Sequence, residues 1–295
     1  MDDITAVILG VVIGASVSAA VVAADKRGTG WFHKKLRCDK NSFLRIYELV
    51  HAAWEHEPGP NCKHQVIKRV ALTVLYLAQG GTMDQAASAL GVSRSRAVVY
   101  IYETLDVVGA MANRFVVMST GEELTFVEDG FFVTACFPDT IGAIDGTLVR
   151  IARPHDFEGW YCRKNYPAVN GQAVVDHRGL FRTISIRSGS NNDQSLWNGS
   201  GIRKRLSSLV PPGKHLVADA GYKIWGHILT PFPEPEAIGD RRKRLYNYVN
   251  SKTRIVVECA FGRLKNRFRI LLGKLEQKSA GNVCKTLFYE KLKGS

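Results

Sequence analysis

The pattern of apolar positions divides the chain into a helical part followed by a part rich in strands. Between residues 38 and 115, apolar residues recur at helical spacing, as at Ile67, Val70 and Val74. From residue 131 onward, Val, Ile and Thr gather instead in short runs bounded by Gly or Pro, at 140–151, 168–176 and 180–187. A helix is predicted next over residues 194–209, a short strand over 215–219 and a long helix over 251–272. The pattern therefore predicts an α/β domain preceded by an all-α region.

Two helices joined by a glycine turn are predicted near the end of the all-α region. Thr82 and Gln85 have the form of a capping box, Gly91 breaks the first helix and Ser93 can cap the second. This arrangement is typical of a helix-turn-helix, in which Arg94 and Arg96 would begin the recognition helix and face DNA phosphates or bases. An ordinary helical hairpin in a packed bundle is the alternative.

The distribution of charge changes the picture more than the overall composition does. The 295 residues carry 40 Lys and Arg against 27 Asp and Glu, and 45% of them are hydrophobic, which excludes a disordered or fibrous chain. Residues 1–130 have a net charge of −1, whereas residues 131–295 have a net charge of +14. Such asymmetry favours a nucleic-acid partner over a basic protein with solvated charges.

Two short basic clusters follow in the strand-rich part, and both are candidates for phosphate contacts. The second cluster also has the form of a nuclear-import signal. The clusters are Arg203, Lys204 and Arg205, and Arg241 and Arg242 with the two basic residues after them.

The cysteines and the N-terminus bear on cellular location. No two of the six cysteines form a C-x-x-C pair, so we expect free thiols in a reducing compartment and no structural zinc site. Residues 5–24 contain no charge and are long enough to span a bilayer as a helix. Asp2 and Asp3 precede this run, which is not typical of a signal peptide. A membrane anchor, a buried helix and a wrongly assigned start of the chain are the alternatives for residues 1–30.

Three carboxylates lie in settings that are costly for a charge unless it is paired, protonated or bound to metal. Asp145 follows the apolar run 141–144, Asp219 ends a short apolar strand, and Glu258 lies within a helix among residues expected to be largely buried. Singly, each has a structural explanation: a hairpin turn at Asp145, a turn before Gly221, and for Glu258 an ion pair with Arg254, Arg263 or Lys265. Together, two strand-end acids and a helix acid can converge on two divalent ions, Mg²⁺ or Mn²⁺, about 4 Å apart, which would activate a water and stabilise the leaving oxygen of a phosphodiester.

Asp176 and Asp193 are the main competitors as metal ligands. Asp176 precedes a predicted hairpin turn, and Asp193 precedes a helix that it could cap, or it could touch DNA. Both are expected to be structural or to support the site from outside the metal ligands.

Several motifs in order resemble the PIF/Harbinger transposase family and its domesticated nuclease relatives. Residues 141–147 (IGAIDGT), 217–222 (VADAGY) and 254–268 (RIVVECAFGRLKNRF) resemble its first, second and third acidic motifs. Residues 189–193 (GSNND) resemble its Gly-Ser and Asp segment, and the helical region with Gly80 and Gly91 resembles the part that precedes its nuclease. The acids are separated by 74 and 39 residues, which fits a DDE nuclease.

The resemblance implies an RNase H-like fold, a mixed five-stranded sheet flanked by helices, with Asp145 on the first strand and Asp219 after the fourth. It implies a helix-turn-helix-like region over residues 31–130 and a DDE nuclease domain over 131–295. Asp145, Asp219 and Glu258 would bind two Mg²⁺ or Mn²⁺ ions and cut DNA, with strand transfer as a further step. Lys265 and Arg269, expected near the same helix face as Glu258, would hold phosphates of the scissile strand.

The expected partners are double-stranded DNA, a Myb-like DNA-binding protein and a second copy of the chain in a homodimer, and the expected location is the nucleus. Of these, the Myb-like partner is what the resemblance implies. A membrane-tethered protein anchored through residues 5–24 is an alternative. A domesticated or inactive DNA-binding protein is the alternative function, since it explains the charge and the helix-turn-helix without a metal. The family's further helix with a Leu-His-Asn signature is not found after the third motif.

Overall fold

The computed structural model describes residues 30–152 and 158–275, which belong to two compact units. Of the described residues, the first unit contains 30–115, 150–152 and 264–275. The second unit contains 116–149 and 158–263. Contacts rather than sequence order therefore define the units, since the first is built from three separate segments.

Helices make up the first unit. They are α1 (Lys40–Ala52), α2 (Val66–Gln79), α3 (Met83–Ala89) and α4 (Arg94–Met111), with short turns of π- or 3₁₀-helix at Phe32–Leu36, Ala112–Arg114 and Arg269–Leu271. Asp39 begins α1, because its carboxylate accepts a hydrogen bond of 2.8 Å from the backbone amide of Ser42. The unit packs around fully buried apolar residues such as Leu72, Ile101 and Leu105.

The predicted glycine turn joins α3 to α4. The Thr82 hydroxyl accepts from the amide of Gln85, and the Gln85 side chain accepts from the amide of Thr82, so the predicted capping box is confirmed. Gly91 adopts a φ of +61°, which few other residues tolerate. Ser93 stands at the predicted cap position, although its side chain makes no capping hydrogen bond.

A five-stranded mixed sheet forms the second unit, as predicted. The strands are β1 (Thr140–Arg150), β2 (Ala168–Val175), β3 (Phe181–Ser188), β4 (His215–Val217) and β5 (Ile228–Leu229), in the spatial order β3-β2-β1-β4-β5. The β1–β4 and β4–β5 pairs are parallel, and the β2–β3 pair is antiparallel. Asp145 lies inside β1, so the hairpin turn considered for it is excluded.

The helices of the second unit differ from the prediction in three places. They are α5 (Gly121–Ala135), α6 (Asp193–Gly199), α7 (Gly201–Lys204), α8 (Leu206–Leu209), α9 (Glu234–Ile238) and α10 (Arg241–Arg267). The single helix predicted over 194–209 is broken at Ser200, whose hydroxyl caps α7. The long helix begins ten residues earlier and ends five residues sooner than predicted. Finally, α5 was not predicted, and it spans the expected domain boundary between residues 130 and 131.

An apolar cluster beneath the sheet holds the strands that carry the two aspartates. Ile141 and Ile144 of β1 and Leu216 of β4 pack with Trp197 of α6 and with Tyr222, all nearly fully buried. Burial of side chains of this size contributes about 1.5–3 kcal/mol each. The cluster therefore fixes β1, β4 and the start of α6 with respect to one another.

The thiols and the N-terminal segment are the remaining features. The five described cysteines, Cys38, Cys62, Cys136, Cys162 and Cys259, are free. Among residues 30–152 and 158–275, no helix is both long and apolar enough to cross a membrane. The candidate anchor at residues 5–24 lies outside the described residues.

Candidate active site

The register of two parallel strands brings Asp145 and Asp219 to one edge of the sheet. Ala143 of β1 pairs with Val217 of β4. Asp145 lies two residues beyond Ala143, and Asp219 lies two residues beyond Val217. Because the strands run in the same direction, the two aspartates lie next to each other where β4 ends. The carboxyl end of a parallel strand pair is a common place for a ligand site in α/β folds.

Asp145 is held in a partly buried position with an incomplete set of partners. Its Oδ1 accepts 2.7 Å from the backbone amide of Gly146, and its Oδ2 accepts 2.9 Å from Nη1 of Arg254. Its side chain is 18% exposed. Burial raises the pKa of Asp145 above its usual value, and the charges of Asp219 and Glu258 raise it further, whereas the Arg254 guanidinium opposes the shift.

Asp219 opens the turn that follows β4. Its Oδ1 accepts 2.9 Å from the amide of Gly221, and its carbonyl accepts from the amide of Tyr222. The turn considered from sequence is therefore present. It uses one carboxylate oxygen only, so a turn and a ligand role are compatible at this residue.

Glu258 reaches the site from α10 through an arginine one turn earlier on the same helix. Arg254 donates from Nη2 to Glu258 Oε1 at 2.9 Å while its Nη1 contacts Asp145. Of the ion pairs considered for Glu258, the one with Arg254 is present, and the same guanidinium also binds the first acid. The expectation of largely buried surroundings is only half right: Val257 is buried, whereas Glu258 and Cys259 are exposed because that face of α10 is open.

The two competing aspartates have different environments. Asp176 is fully buried and accepts hydrogen bonds from the side chains of Arg178 and Arg182 and from the amide of Leu180. Its charge is used inside the fold, as the sequence suggested. Asp193, in contrast, begins α6 and directs its carboxylate toward the glycines that follow Asp145 and Asp219. The GSNND segment was the signal that pointed to Asp193, although sequence alone gave it no place at the site.

Carboxylate oxygens line the site together with the Arg254 guanidinium, and such oxygens fit a hard divalent cation. Asn170, 5% exposed on β2, places an amide oxygen without a hydrogen-bond partner beside Gly146, and its amide nitrogen donates to Asp193 Oδ1 at 3.5 Å. Within residues 30–152 and 158–275, no three His, Cys, Asp or Glu side chains stand together as a ready-made metal site. Arg254 accounts for this arrangement in part, because its guanidinium already lies between Asp145 and Glu258. The ligand atoms therefore fit Mg²⁺ or Mn²⁺, and binding of either ion requires the Arg254 side chain to move away from Asp145 and Glu258.

The predicted DNA-contact residues are mostly exposed. Arg94 and Arg96 lie at the start of α4, and Arg241 and Arg242 lie at the start of α10. Lys204 and Arg205 are exposed, whereas Arg203 is half-buried with its guanidinium 5.1 Å from the centre of the Trp225 ring. Trp225 itself is 50% exposed.

The expectation for Lys265 and Arg269 needs a correction. Lys265 is half-buried in the last turns of α10. Arg269 lies beyond the end of that helix, because Phe268 leaves the helical conformation, and Arg269 starts a separate 3₁₀ turn. The two residues are therefore not on a continuous helix face after Glu258.

Comparisons with known proteins agree with this geometry. Residues 144–289 match the family model described as DDE superfamily endonuclease. The proteins named "Putative nuclease HARBI1" of Mus musculus and Rattus norvegicus are each 27% identical to the chain over 237 residues, and that of Homo sapiens is 26% identical. The alignments cover 77% of this chain and 66% of each relative, so the chain spans just under two thirds of their length. No solved structure matches the chain.

The comparisons and the sheet together settle the fold class. The mixed five-stranded sheet with flanking helices is consistent with the RNase H-like fold of DDE endonucleases, so the predicted fold is confirmed. All three candidate acids fall within the matched residues. Residues 144–289 therefore carry a DDE superfamily endonuclease domain that is homologous to HARBI1.

Proposed function

We propose that the protein is a divalent-metal-dependent DNA endonuclease of transposase origin. Asp145, Asp219 and Glu258 would hold two Mg²⁺ or Mn²⁺ ions. The observation that carries the proposal is the joining of all three acids: strand register pairs the two aspartates, and one guanidinium links Asp145 to Glu258. This arrangement occurs inside a DDE endonuclease domain.

The chain's own residues have separate tasks in this proposal. Asp145, which is mostly buried on β1, would fix the position of the site. The side chain of Glu258 on α10 is exposed and is therefore free to change its rotamer. Arg254 neutralises part of their negative charge in the metal-free protein and would turn toward a DNA phosphate when it is released. When bound, divalent ions lower the pKa of an attacking water and stabilise the departing 3′ oxygen of a phosphodiester.

Contacts with DNA phosphates are part of the proposal, and they are assigned to each unit separately. In the first unit they are assigned to Arg94 and Arg96 at the start of α4. The other residues assigned to phosphates are Arg203, Lys204, Arg205, Arg241, Arg242, Lys265 and Arg269. Replacing Arg94 and Arg96 together by Ala should weaken binding to all DNA sequences and reduce the salt slope by about two. An unchanged salt slope would remove α4 from the contact surface and leave it as a helical hairpin.

Further expectations concern the cell rather than the site. A nuclear location, a Myb-like partner and a homodimer are proposed as well; the Myb-like partner rests on the Harbinger resemblance, and the nuclear location also rests on the basic cluster that begins at Arg241. The chain spans 66% of the length of the relatives, so their whole activity is likewise a proposal here.

A second candidate function is a DNA-binding protein that no longer cuts. The bridging position of Arg254 favours it, because an arginine that does not leave would keep a cation from Asp145 and Glu258. The basic character of residues 131–295 fits both candidates.

Nicking of supercoiled plasmid by the full chain distinguishes the two. We expect nicking with Mg²⁺ or Mn²⁺, none with EDTA, and none in a Glu258→Gln variant that still binds DNA. Equal nicking by wild type and variant would assign the activity to another site or another protein. DNA binding without nicking in any metal would favour the second candidate.

A further inference from the structure

An exposed apolar segment follows Asp219 on the connection between β4 and β5. Ile224 is 68% exposed and Trp225 is 50% exposed, and the residues on either side of them, Lys223 and Gly226, are exposed as well. Apolar side chains that remain in water do not contribute to folding, whereas an exposed apolar patch among polar residues is typical of a binding surface. The fold itself therefore does not account for a tryptophan at this position.

Hydrogen bonds of the main chain hold this segment at both ends. The amide of Lys223 donates 2.7 Å to Oε1 of Gln194, which follows Asp193 on α6. The amide of Trp225 donates to the carbonyl of Ile228 at 3.1 Å, and the amide of Ile228 donates to the carbonyl of Trp225 at 2.9 Å. None of these bonds uses the indole ring. The backbone therefore presents the ring in a preset position, which lowers the cost of ordering it when a ligand binds.

A guanidinium lies against the tryptophan ring. Arg203 of α7 donates from Nη1 to the carbonyl of Asn198 at 3.4 Å, and its guanidinium is 5.1 Å from the centre of the Trp225 ring, within the range of a cation–π contact. The two segments that meet here, residues 199–209 and 220–227, contain four Lys and Arg and no Asp or Glu. The patch is therefore both aromatic and positively charged, and this combination favours a nucleic acid as its ligand.

The sheet register gives the position of Trp225 relative to the candidate active site. Trp225 pairs with Ile228 in an antiparallel bridge, and Ile228 pairs with Leu216, three residues before Asp219. Residues rise by about 3.3 Å along a strand and neighbouring strands lie about 4.8 Å apart, so Trp225 is about 14 Å from Asp219. A DNA strand advances by about 3.4 Å per base, which makes this distance about four bases.

A phosphate contact or a paired base does not explain the ring. The exposed Lys204 and Arg205 are sufficient for phosphates, which need no aromatic side chain. The faces of paired bases in a duplex are already covered by their neighbours, so a tryptophan can stack only on a base that has left the helix. Stacking of bases on aromatic side chains beside basic residues is the usual mode of binding to unpaired DNA.

We propose that Trp225, held by Arg203, stacks on one unpaired DNA base about four bases from the scissile phosphate. The inference rests on the proposed DNA endonuclease function and adds to it a class of substrate, namely DNA with an unpaired base close to the cut. Every base has a face that can stack on an aromatic ring, so this contact selects an unpaired base rather than a sequence.

Binding of the full chain to a duplex with one unpaired 2-aminopurine, measured in EDTA at low salt, tests the inference without cleavage. The wild type should bind this DNA at least about fivefold more tightly than the same duplex without the extra base. The fluorescence of 2-aminopurine falls when the base stacks, so we expect quenching when the protein binds. An abasic residue in place of the 2-aminopurine should abolish the preference.

Variants of Trp225 separate stacking from a general loss of binding. Trp225→Ala should remove the preference and the quenching but keep the affinity for fully paired DNA, because the basic residues remain. Trp225→Phe, which retains a ring, should keep most of the preference. Tyr248→Ala is the matched control, since Tyr248 is an aromatic residue of α10 that is 66% exposed, and it should behave as the wild type.

Three results would overturn the inference. The first is a wild type that binds both duplexes equally, and the second is a Trp225→Ala protein that keeps the preference or the quenching. The third is equal weakening on both duplexes in Trp225→Ala, which would make Trp225 a structural residue or a general DNA contact. Unchanged DNA binding together with altered self-association in sedimentation would belong to the second result and would assign the patch to a protein contact.

The outcomes also separate this inference from the proposed function. If the wild type nicks plasmid in a metal-dependent way but shows no preference for the unpaired base, the stacking contact is wrong and the nuclease stands. If the preference is present and no metal supports nicking, the stacking contact stands and the endonuclease assignment fails. If the wild type binds no DNA, both proposals fail.

Discussion

Two acidic clusters in the second unit of the protein differ in their charge balance: one has as many arginines as acids, and the other has more acids than arginines. In the first cluster, Asp176 and Glu123 meet Arg178 and Arg182, so two carboxylates face two guanidinium groups. In the second, Arg254 pairs with Asp145 and Glu258, and Asp219 and Asp193 lie beside this group. Both clusters involve acids at or near strand ends, so residue type alone does not distinguish them.

The difference in burial and in hydrogen-bond partners shows which cluster stabilises the fold. Asp176 is fully buried and its oxygens are occupied by side-chain and backbone donors. Arg182 is also buried and links Asp176 to Glu123 of α5, at 2.9 and 2.5 Å. The candidate site has more negative charge than its arginine neutralises, and Glu258 is 53% exposed. An excess of carboxylate at an accessible edge is what binding of a divalent cation requires.

The largest effect should come from Asp219→Asn. Loss of one metal-binding carboxylate should reduce plasmid nicking by at least about 10³-fold, because groups that act as one catalytic unit fail together. Binding of DNA at low salt should stay close to that of the wild type, since it depends on the basic residues. Asp129→Asn, which removes the same charge at an exposed position of α5 and is measured alongside, should nick normally; a similar loss in that control would point to a general charge effect.

The next largest effect should come from breaking the balanced cluster. Asp176→Asn leaves the buried Arg182 without its main partner and should lower the free energy of unfolding by about 3–5 kcal/mol in chemical denaturation. The folded fraction should keep its nicking activity and its Mn²⁺ affinity. A stable Asp176→Asn protein that no longer nicks would mean that the two clusters are not separate in function.

A smaller effect is expected at the arginine of the candidate site. Arg254→Ala should lower metal-free stability by about 1–3 kcal/mol, because Asp145 then lacks its hydrogen-bonded counter-ion. The same change should tighten Mn²⁺ binding in calorimetry, since the metal no longer competes with a guanidinium. Lys252→Ala, an exposed charge deletion on the same helix, is the control. Weaker Mn²⁺ binding in Arg254→Ala than in this control would contradict the competition.

The smallest effect is expected in the stability of the protein at low pH. Partial burial alone would raise the pKa of Glu123, but its hydrogen bond and charge contact with Arg182 prevail and hold the pKa below the usual 4.5. A carboxylate with a lowered pKa in the folded state contributes stability above its unfolded value, and that contribution disappears as the pH falls through the folded value. The wild type should therefore lose stability below about pH 4.5, by under about 1 kcal/mol from this exposed contact. In Glu123→Gln, the thermal unfolding midpoint should depend less on pH over that range. If the midpoint of the variant depends on pH as that of the wild type does, the contact between Glu123 and Arg182 is not pH-sensitive.

Local signals predicted the parts of the fold that depend on neighbouring residues. The capping box at Thr82 and the glycine turn at Gly91 form as expected, because their hydrogen bonds and backbone angles are set within a few residues. Asp219 follows the end of β4 as expected, whereas Asp145 lies inside β1 rather than at its end. Their adjacency follows from the parallel pairing of β1 with β4, which joins residues far apart in the sequence and is not set by local signals.

Elements whose stability comes from distant contacts were harder to predict. Helix α5 has exposed apolar residues, with Phe132 52% and Val133 82% exposed, so its apolar pattern does not define one buried face. The first ten residues of α10 are mostly basic and polar and show no apolar period, although Asp240 caps them through the amide of Arg242. That capping aspartate was the available signal for the earlier start of the helix.

The sequence predicted which acids belong to the candidate site, but it did not predict how many arginines contact them. The local pattern around Asp176 and Asp193 does not separate them, since each precedes a turn or a helix start, and only the family resemblance of residues 189–193 pointed to Asp193. The separation requires the positions of Arg182, which pairs with Asp176, and of the two glycines, which admit Asp193. Likewise, the local pairing of Arg254 with Glu258 was expected, but its second contact with Asp145 joins residues 109 positions apart.

The central claim is that the unbalanced cluster binds divalent metal and the balanced one does not. The most direct test is the rise in thermal unfolding midpoint of the full chain when Mn²⁺ is added, compared between wild type and Asp145→Asn. A ligand that binds only the folded state raises the midpoint, and the rise grows with the logarithm of its concentration once that concentration exceeds the dissociation constant. We predict a rise in the wild type that is absent in Asp145→Asn. An equal rise in both proteins would show that the metal binds elsewhere and would contradict the account.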